Sequence, residues 1–531
     1  MISEGNMKPE RGMMMKKRIC LFLALVLLAS CFLGCSDLNR QRIKLLLNRY
    51  IADSDVQMTS VYSETEEEGL SIYQKLFDPE NKISIQIHLP KDEIAKLQLD
   101  YYNYRGMSSE RKSEIYRKAD LTVVIGSERY EIEEVGIRQK GNTSLSPFFD
   151  PNTGVPYLCG FKLSFDETFD DPEEYGADAK VWSTDSERKA RKKRTFASLE
   201  ELDLKWNVCY DESFIREIYA TKLFEENDLL VQKINLSQLS LNGNNYGVYK
   251  LYEPIDRKFL EKRLPESALG GDLYKILWSE YSSDGARTGN WRGATYRLNN
   301  TYGIARNAEG NHFNFNLKTN KKTSAHESLI RFLNVINQDT LTREALESVL
   351  DVDAYARYMA VLYCCGDPDD IRHNYNNQYL YFRKDDGKAI FIVYDNDRTL
   401  GITYDMNYDC SVFDPYSDRS VLGGPQQNPL IRNTITTDAL PELTYIRDRY
   451  SDALQALIES DLLASSEAFR RQYESAKARY EDDVTPYMTM ANQKETFVFS
   501  LDGTQGGGAH TNMSFEQFRT GLLNTVEVAI P

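Results

Sequence analysis

The stretch Asp369-Asp370-Ile371-Arg372-His373-Asn374, followed downstream by Asp395-Asn396-Asp397, decides how this chain is read. Working backward from it, Arg343 to Cys365 carries apolar residues at helical spacing and stops at Gly366-Asp367-Pro368, a helix-ending signal. Working forward, Asn377 to Phe382 and Ala389 to Tyr394 read as two strands joined by the turn Lys384-Asp385-Asp386-Gly387. The first acidic group therefore sits on a loop leaving a helix, and Asp395 closes a hairpin. Further upstream, Ile83 to Leu89, Leu121 to Ile125 and Val135 to Gln139 are rich in β-branched residues and predict an antiparallel sheet early in the fold. Gly160 to Asp166 alternates with period two, so Lys162 and Ser164 share a face. Ser213 to Glu226, opened by Asp211, predicts an amphipathic helix; Leu239 to Tyr249, with Asn242-Gly243 at its turn, predicts a hairpin. Ser328 to Asn337, Pro441 to about Tyr487 and the segment from Ser514 predict further helix. The fold class expected is α+β, β-rich in its first part and mainly helical in its second.

Composition bounds what such a fold does. With 531 residues, 41% hydrophobic and only 16 Pro, the chain has ample material for a large core. Its net charge of -16 argues against nucleic acid as a partner. At the N-terminus, Met13 to Arg18 is basic and Ile19 to Ser30 is an almost unbroken apolar run, shorter than the ~20 residues a spanning helix needs. This predicts an export signal over 1–30. Leu28-Ala29-Ser30-Cys31 resembles a lipobox, so Cys31 (or Cys35, in the poorer match Phe32-Leu33-Gly34-Cys35) is the candidate lipidation site. The protein is then expected at the outer face of a bacterial cytoplasmic membrane, held by its lipid, with secretion as the alternative. Residues 31–75 read as the lipidated Cys and a polar tether, 76–260 as a β-rich lobe and 261–531 as a helical lobe. Cys159, Cys209, Cys364, Cys365 and Cys410 form neither an even disulfide framework nor a zinc pattern, and read as buried thiols, with one disulfide left open. His88, His312, His326, His373 and His510 make no His-Cys cluster, so a metal would be held by oxygen.

An Asp and an Asn five apart on such a loop, with a metal-binding Asp after a hairpin, is the spacing that phosphoryl-transfer enzymes use around Mg-ATP. The chemistry needs a carboxylate to accept the proton of an attacking hydroxyl and hard oxygen ligands for Mg²⁺. Asp369 suits the first role; Asn374 and Asp395 suit the second. Lys162, on a strand, and Glu217, on a helix, stand upstream in kinase order, with Glu217 placed to hold Lys162. No P-loop, dinucleotide fingerprint or nucleophile elbow is present.

From about Ile83 to Gln517 the sequence resembles the CotH kinase family, named for spore coat protein H, an atypical secreted kinase-like family. The resemblance runs through Gly136 to Ser144, Phe161 to Asp166, Leu204-Lys205-Trp206-Asn207, Ser213 to Glu217, Leu241 to Tyr249 with Glu253, Gly271 to Lys275, Leu317 to Asn320, His373-Asn374-Tyr375 and Tyr394 to Gly401. It implies a two-lobed kinase-like fold and transfer of the ATP γ-phosphate to Ser/Thr hydroxyls of exported or cell-envelope proteins, those of a spore coat included. It implies Asp369 as catalytic Asp, Asn374, Asp395 and Asp397 as ligands of Mg²⁺ (or Mn²⁺), and Arg138, Lys140, Gly141, Asn142, Thr143, Ser144, Lys162 and Glu253 about the nucleotide. Val393-Tyr394 replaces the Pro-Trp that the family commonly shows before the metal Asp, and Asp367, Asp369 and Asp370 offer three acidic candidates where one is needed. His373 is a general base by type and a structural hydrogen-bonder by position. An aromatic cluster at Trp278, Tyr281, Trp291 and Tyr296 is a candidate carbohydrate or partner surface. The alternative function is a surface adhesion or scaffold lipoprotein on the same fold without catalysis.

Overall fold

A computed structural model describes residues 51–530 apart from loop stretches, the longest of them 106–112, 305–313, 485–497 and 503–511. The signal segment, Cys31, Cys35 and the first part of the tether lie outside the described residues. Strands β1 (Ile83–His88), β2 (Arg117–Ile125), β3 (Glu128–Lys140), β4 (Gly160–Ser164), β5 (Glu201–Trp206), β6 (Ile234–Leu241) and β7 (Asn244–Tyr252) close into a barrel in the order β1-β2-β3-β4-β5-β7-β6. Each neighbouring pair is antiparallel except the closing one, where β1 runs parallel to β6 with Ile85 opposite Leu239 and Ile87 opposite Leu241. The sequence predicts β1 to β4 as an early antiparallel sheet and β6–β7 as a hairpin, but not β5; the closure joins segments far apart in the chain and has no local signature. Alternation fills one face of the strands with fully buried Ile83, Ile85, Ile87, Leu121, Ile137, Leu163, Leu202 and Leu204, which form the barrel interior.

The remaining strands are β8 (Leu273–Ile276), β9 (Ser279–Tyr281), β10 (Arg287–Arg292), β11 (Phe315–Leu317), β12 (Gln378–Phe382) and β13 (Ala389–Val393). Four of them make a second sheet in the order β11-β8-β12-β13. Helices Glu327–Ile336, Val352–Cys365, Thr444–Glu459, Glu467–Tyr480 and Phe515–Ala529 complete this part of the molecule. The fold is therefore a mixture of α and β elements with a barrel as its first unit.

Local chemistry explains the ends of these elements. Asn242 and Gly243 both take positive φ (47° and 81°), the conformation a two-residue hairpin turn requires. Helix Val352–Cys365 is capped at its start by the Asp351 carboxylate and at its end by Gly366 at φ 66°.

Three expectations need correction. The end of the expected tether is folded: Thr65 and Glu68 form a capping box that starts helix Glu66–Leu76, whose Gly69, Ile72 and Leu76 are buried. Helix Arg216–Glu225 is not amphipathic, because eight of its ten residues are buried between the barrel and the Val352–Cys365 helix. The long C-terminal helix is two, broken between Glu459 and Glu467 where Ser460 turns to extended backbone. Of the suspected aromatic surface, Tyr296 is buried and packs edge-on against Phe315 and Phe332; the side chains of Trp278, Tyr281 and Trp291 lie outside the described residues. Cys159, Cys209, Cys364, Cys365 and Cys410 are buried thiols that form no disulfide, with Cys159 and Cys365 each pushed up to about 12 by burial.

Candidate active site

Side chains that do not point into the barrel point out of it, and across four strands these are polar. The registers align Arg138 (β3), Lys162 (β4), Asp203 (β5) and Tyr252 (β7) in one row. The next row is Lys140, Gly160, Lys205 and Lys250. Gly160 leaves a gap between Lys140 and Lys205, and a Cβ there would lie 2.8 Å from the Lys140 carbonyl. Lys162 pairs with Glu201 and lies 3.7 Å from Asp203; Lys140 pairs with the other Asp203 oxygen. The Arg138 guanidinium stacks 5.3 Å over Tyr116, whose hydroxyl donates to Glu201 at 2.8 Å. The second sheet closes over this face: Lys140 lies 5.8 Å from the Tyr394 ring, and Lys275 of β8 4.0 Å from the same ring.

Beyond β3, Gly141 adopts φ 143°, and a Cβ there would meet the Leu145 nitrogen at 2.8 Å, so only glycine fits the turn. Ser144 follows, half-buried; Asn142 and Thr143 lie outside the described residues.

The expected pairing of Glu217 with Lys162 does not form. Glu217 is 1% exposed; its Oε2 accepts from Lys250 Nζ at 3.0 Å and from the Tyr252 hydroxyl at 2.7 Å. The helix bearing Glu217 packs against β6 and Glu217 reaches β7, whereas Lys162 is two strands from β7 on β4, a lateral offset of about 10 Å. Glu253 is fully buried; Arg263 donates to its Oε1 at 3.0 Å and the Lys233 N–H to its Oε2 at 3.2 Å, which ties the end of β7 to the segment leading into the second sheet.

The acidic loop resolves its own ambiguity. Asp367 is buried and accepts from the Asp369 N–H at 2.7 Å. Asp370 is buried too and accepts from the N–H groups of Arg372 and His373 at 2.8 and 3.0 Å, with burial pushing its carboxyl up to about 7. Both stabilise the turn. Asp369 alone of the three meets the candidate ligands: Asn374 Nδ2 donates to its Oδ1 at 2.5 Å, and Asn377 Nδ2 and Arg398 donate to its Oδ2 at 3.1 and 3.2 Å. His373 is buried, and its Nδ1 accepts from the Val421 N–H at 3.1 Å, a structural position that places the ring proton on Nε2.

Asp395 takes φ 55°, a left-handed conformation that turns its carboxylate toward β5. Lys205 donates to Asp395 Oδ1 at 2.6 Å and to Asp397 Oδ2 at 2.5 Å. Arg398 bridges Asp397, at 3.4 Å, to Asp369. Asp369, Asn374, Asp395 and Asp397 are thus brought together, and Lys205 joins them. Sequence reasoning passed over Lys205, although Glu201-Leu202-Asp203-Leu204-Lys205-Trp206 alternates and sets Glu201, Asp203 and Lys205 on one face.

The two key carboxylates are driven apart. Burial raises Asp369, and the charges of Asp395 and Asp397 add to that rise against Arg398 and Asn374. Burial also acts to raise Asp395, but Lys205, with Lys140 and Lys275, outweighs it and holds that carboxylate below the usual range. A proton-accepting carboxylate beside a permanently ionised one is the division of labour that hydroxyl activation at a bound cation needs.

Among the described residues no three His, Cys, Asp or Glu side chains form a ready metal cluster. The donors nonetheless fit Mg²⁺ or Mn²⁺: Asp395, Asp397 and the Asn374 carboxamide oxygen are hard, and Mg²⁺ is commonly held by one or two carboxylates plus substrate phosphates. The Lys205 ammonium already shows that the pair takes a cation.

No curated protein matches the chain. A family model described as CotH kinase protein matches residues 178–516, more than half of it, spanning Lys205, Glu217, Asp369, Asn374, Asp395 and Asp397 and beginning after Arg138, Lys140 and Lys162. The chain belongs to the CotH kinase family.

Proposed function

We propose that the protein is an ATP- and divalent-metal-dependent kinase that phosphorylates Ser/Thr hydroxyls of exported or cell-envelope proteins. The observation that carries this reading is the meeting of Asp369, Asn374, Asp395 and Asp397 with the cationic outer face of β3, β4 and β5. In a chain of net charge -16, the gathering of Arg138, Lys140, Lys162, Lys205 and Lys275 about one face, interleaved with Glu201, Asp203 and Asp395, supports a polyanionic ligand that takes over part of this pairing. Asp369 takes the hydroxyl proton, Asn374 and Arg398 hold that carboxylate in place, and Asp395 and Asp397 hold the metal, which when bound neutralises phosphate charge. The lysines of the barrel face orient the phosphates, and the Tyr394 ring packs against Lys140 and Lys275 beside them. A lipid on Cys31 (or Cys35) places this activity at the outer face of the cytoplasmic membrane, and its acceptor is then a protein of that compartment. Incubation of the full chain with radiolabelled ATP, Mg²⁺ or Mn²⁺ and envelope protein extract tests the reading: label transfer abolished by Asp369→Asn supports it, and no transfer with either metal speaks for the non-catalytic scaffold.

A further inference from the structure

The Lys205 ammonium sits between the two carboxylates assigned to the metal, 2.6 Å from Asp395 and 2.5 Å from Asp397. A divalent cation and this ammonium cannot both occupy that position, because like charges at such separation repel strongly in a partly desolvated site. Lys205 is 17% exposed and Asp397 6%, so their contact is shielded from water, while Asp395, 37% exposed, is the open side of the pair. For metal to enter, the ammonium has to move to another anion.

Two destinations flank the ammonium. Across the Gly160 gap is the Lys140 and Lys162 face on which the proposed phosphates lie. On the other side, Glu217 belongs to the electrostatic surroundings of Lys205, and its Oε1 is buried without a hydrogen-bond partner while Oε2 holds Lys250 and Tyr252. A small, largely apolar cavity, whose polar lining includes Glu217, Gln232, Asp395 and Asn396, is shared by that carboxylate and the Asp395 loop. A buried carboxylate oxygen without a donor is unfavourable, so an arriving cation is favoured there.

We infer that Lys205 is a resident counter-cation of the Asp395–Asp397 pair that excludes a free divalent ion, so that metal enters together with the nucleotide phosphates that draw the lysine away. This rests on the nucleotide-binding reading for the identity of the phosphates but not for the exclusion of free metal. The consequence is specificity: the site discriminates against bare Mg²⁺ or Mn²⁺ and takes the metal–nucleotide complex.

The test is Mn²⁺ titration of the full chain without nucleotide, followed by electron paramagnetic resonance of free Mn²⁺, for wild type, Lys205→Met, Lys205→Arg and Lys205→Met/Asp397→Ala. Lys205→Met is expected to bind Mn²⁺ at least tenfold more tightly than wild type, Lys205→Arg as weakly as wild type, and the double variant no better than wild type. Should Lys205→Met be destabilised by its two unpaired carboxylates, Mn²⁺ is expected to raise its Tm by more than that of wild type. Unchanged or weaker Mn²⁺ binding by Lys205→Met, with no Mn²⁺-specific rise in Tm, overturns the inference. The same titration with Mn-ATP separates the two ideas. Wild-type binding of Mn-ATP without tighter Mn²⁺ binding by Lys205→Met rejects the exclusion and keeps the nucleotide reading. Tighter Mn²⁺ binding by Lys205→Met without Mn-ATP binding by wild type keeps the exclusion and rejects the nucleotide.

Discussion

Replacing Glu217 by Gln removes a charge from a pair that has almost no access to water: the side chains of Glu217 and Lys250 are 1% and 6% exposed. The amide keeps an oxygen to accept from Tyr252, so the change chiefly strands the Lys250 ammonium among buried groups. Breaking a buried pair by removing one partner costs about 3–5 kcal/mol. Lys250→Met in the Glu217→Gln background removes the stranded charge, and the coupling between the two positions should be on the order of 1–3 kcal/mol. Lys162, two strands away, is at a distance where mutations usually add, so the Glu217–Lys162 coupling should stay below about 0.5 kcal/mol. Urea unfolding of the single and double variants, monitored by midpoint at constant slope, gives both couplings. A Glu217–Lys162 coupling larger than the Glu217–Lys250 coupling, or a Glu217→Gln cost under about 1 kcal/mol, would refute the assignment of Glu217 to Lys250.

Other expected outcomes follow from the same geometry. A Cβ at Gly293 would lie 2.0 Å from the Tyr375 carbonyl oxygen and 2.5 Å from that of Asn374, so Gly293→Ala should displace the Asn374 backbone and lower phosphoryl transfer on the order of a hundredfold while the chain stays folded; unaltered transfer refutes this. Burial holds the His373 imidazole well below 6.5, so the folded state keeps it neutral where the unfolded chain takes up a proton. Its contribution is therefore complete above pH ~6.5 and lost as pH falls below that, with a slope of up to about 1.4 kcal/mol per pH unit, and His373→Gln should flatten the urea midpoint between pH 5.5 and 6.5. The thiols of Cys159, Cys209, Cys364, Cys365 and Cys410 are buried and should react with a thiol reagent only after denaturation; rapid labelling of any of these in the folded chain contradicts their placement.

Much of the fold is legible in short-range patterns because short-range chemistry sets it. The Asn242-Gly243 turn, the Gly366 stop and the alternation in β4 each depend on a handful of neighbouring residues. Barrel closure does not: it pairs β1 with β6, and nothing local to Ile85 foretells Leu239. Helix Arg216–Glu225 misleads for the same reason, since its polar Arg216 and Glu217 suggest a wet face but meet the Leu400 carbonyl and Lys250 inside the protein. At the site, the spacing of Asp369 and Asn374 is read directly, because both lie on one loop and hydrogen-bond to each other. Choosing Asp369 over Asp367 and Asp370 needs the structure, which shows the other two spent on backbone N–H groups. The partners of Lys162 and Glu217 depend on strand order around the barrel, and kinase order along the chain does not carry that information.

In the proposed function, a metal–nucleotide complex is held through Asp395 where the barrel face meets the second sheet. Calorimetric titration of Mg-ATP, then Mn-ATP, into the full chain alongside Asp395→Ala tests it without knowledge of the acceptor. Saturable binding by wild type that Asp395→Ala loses is expected; a folded wild type that binds neither complex, or binding that Asp395→Ala retains, contradicts metal–nucleotide binding through Asp395.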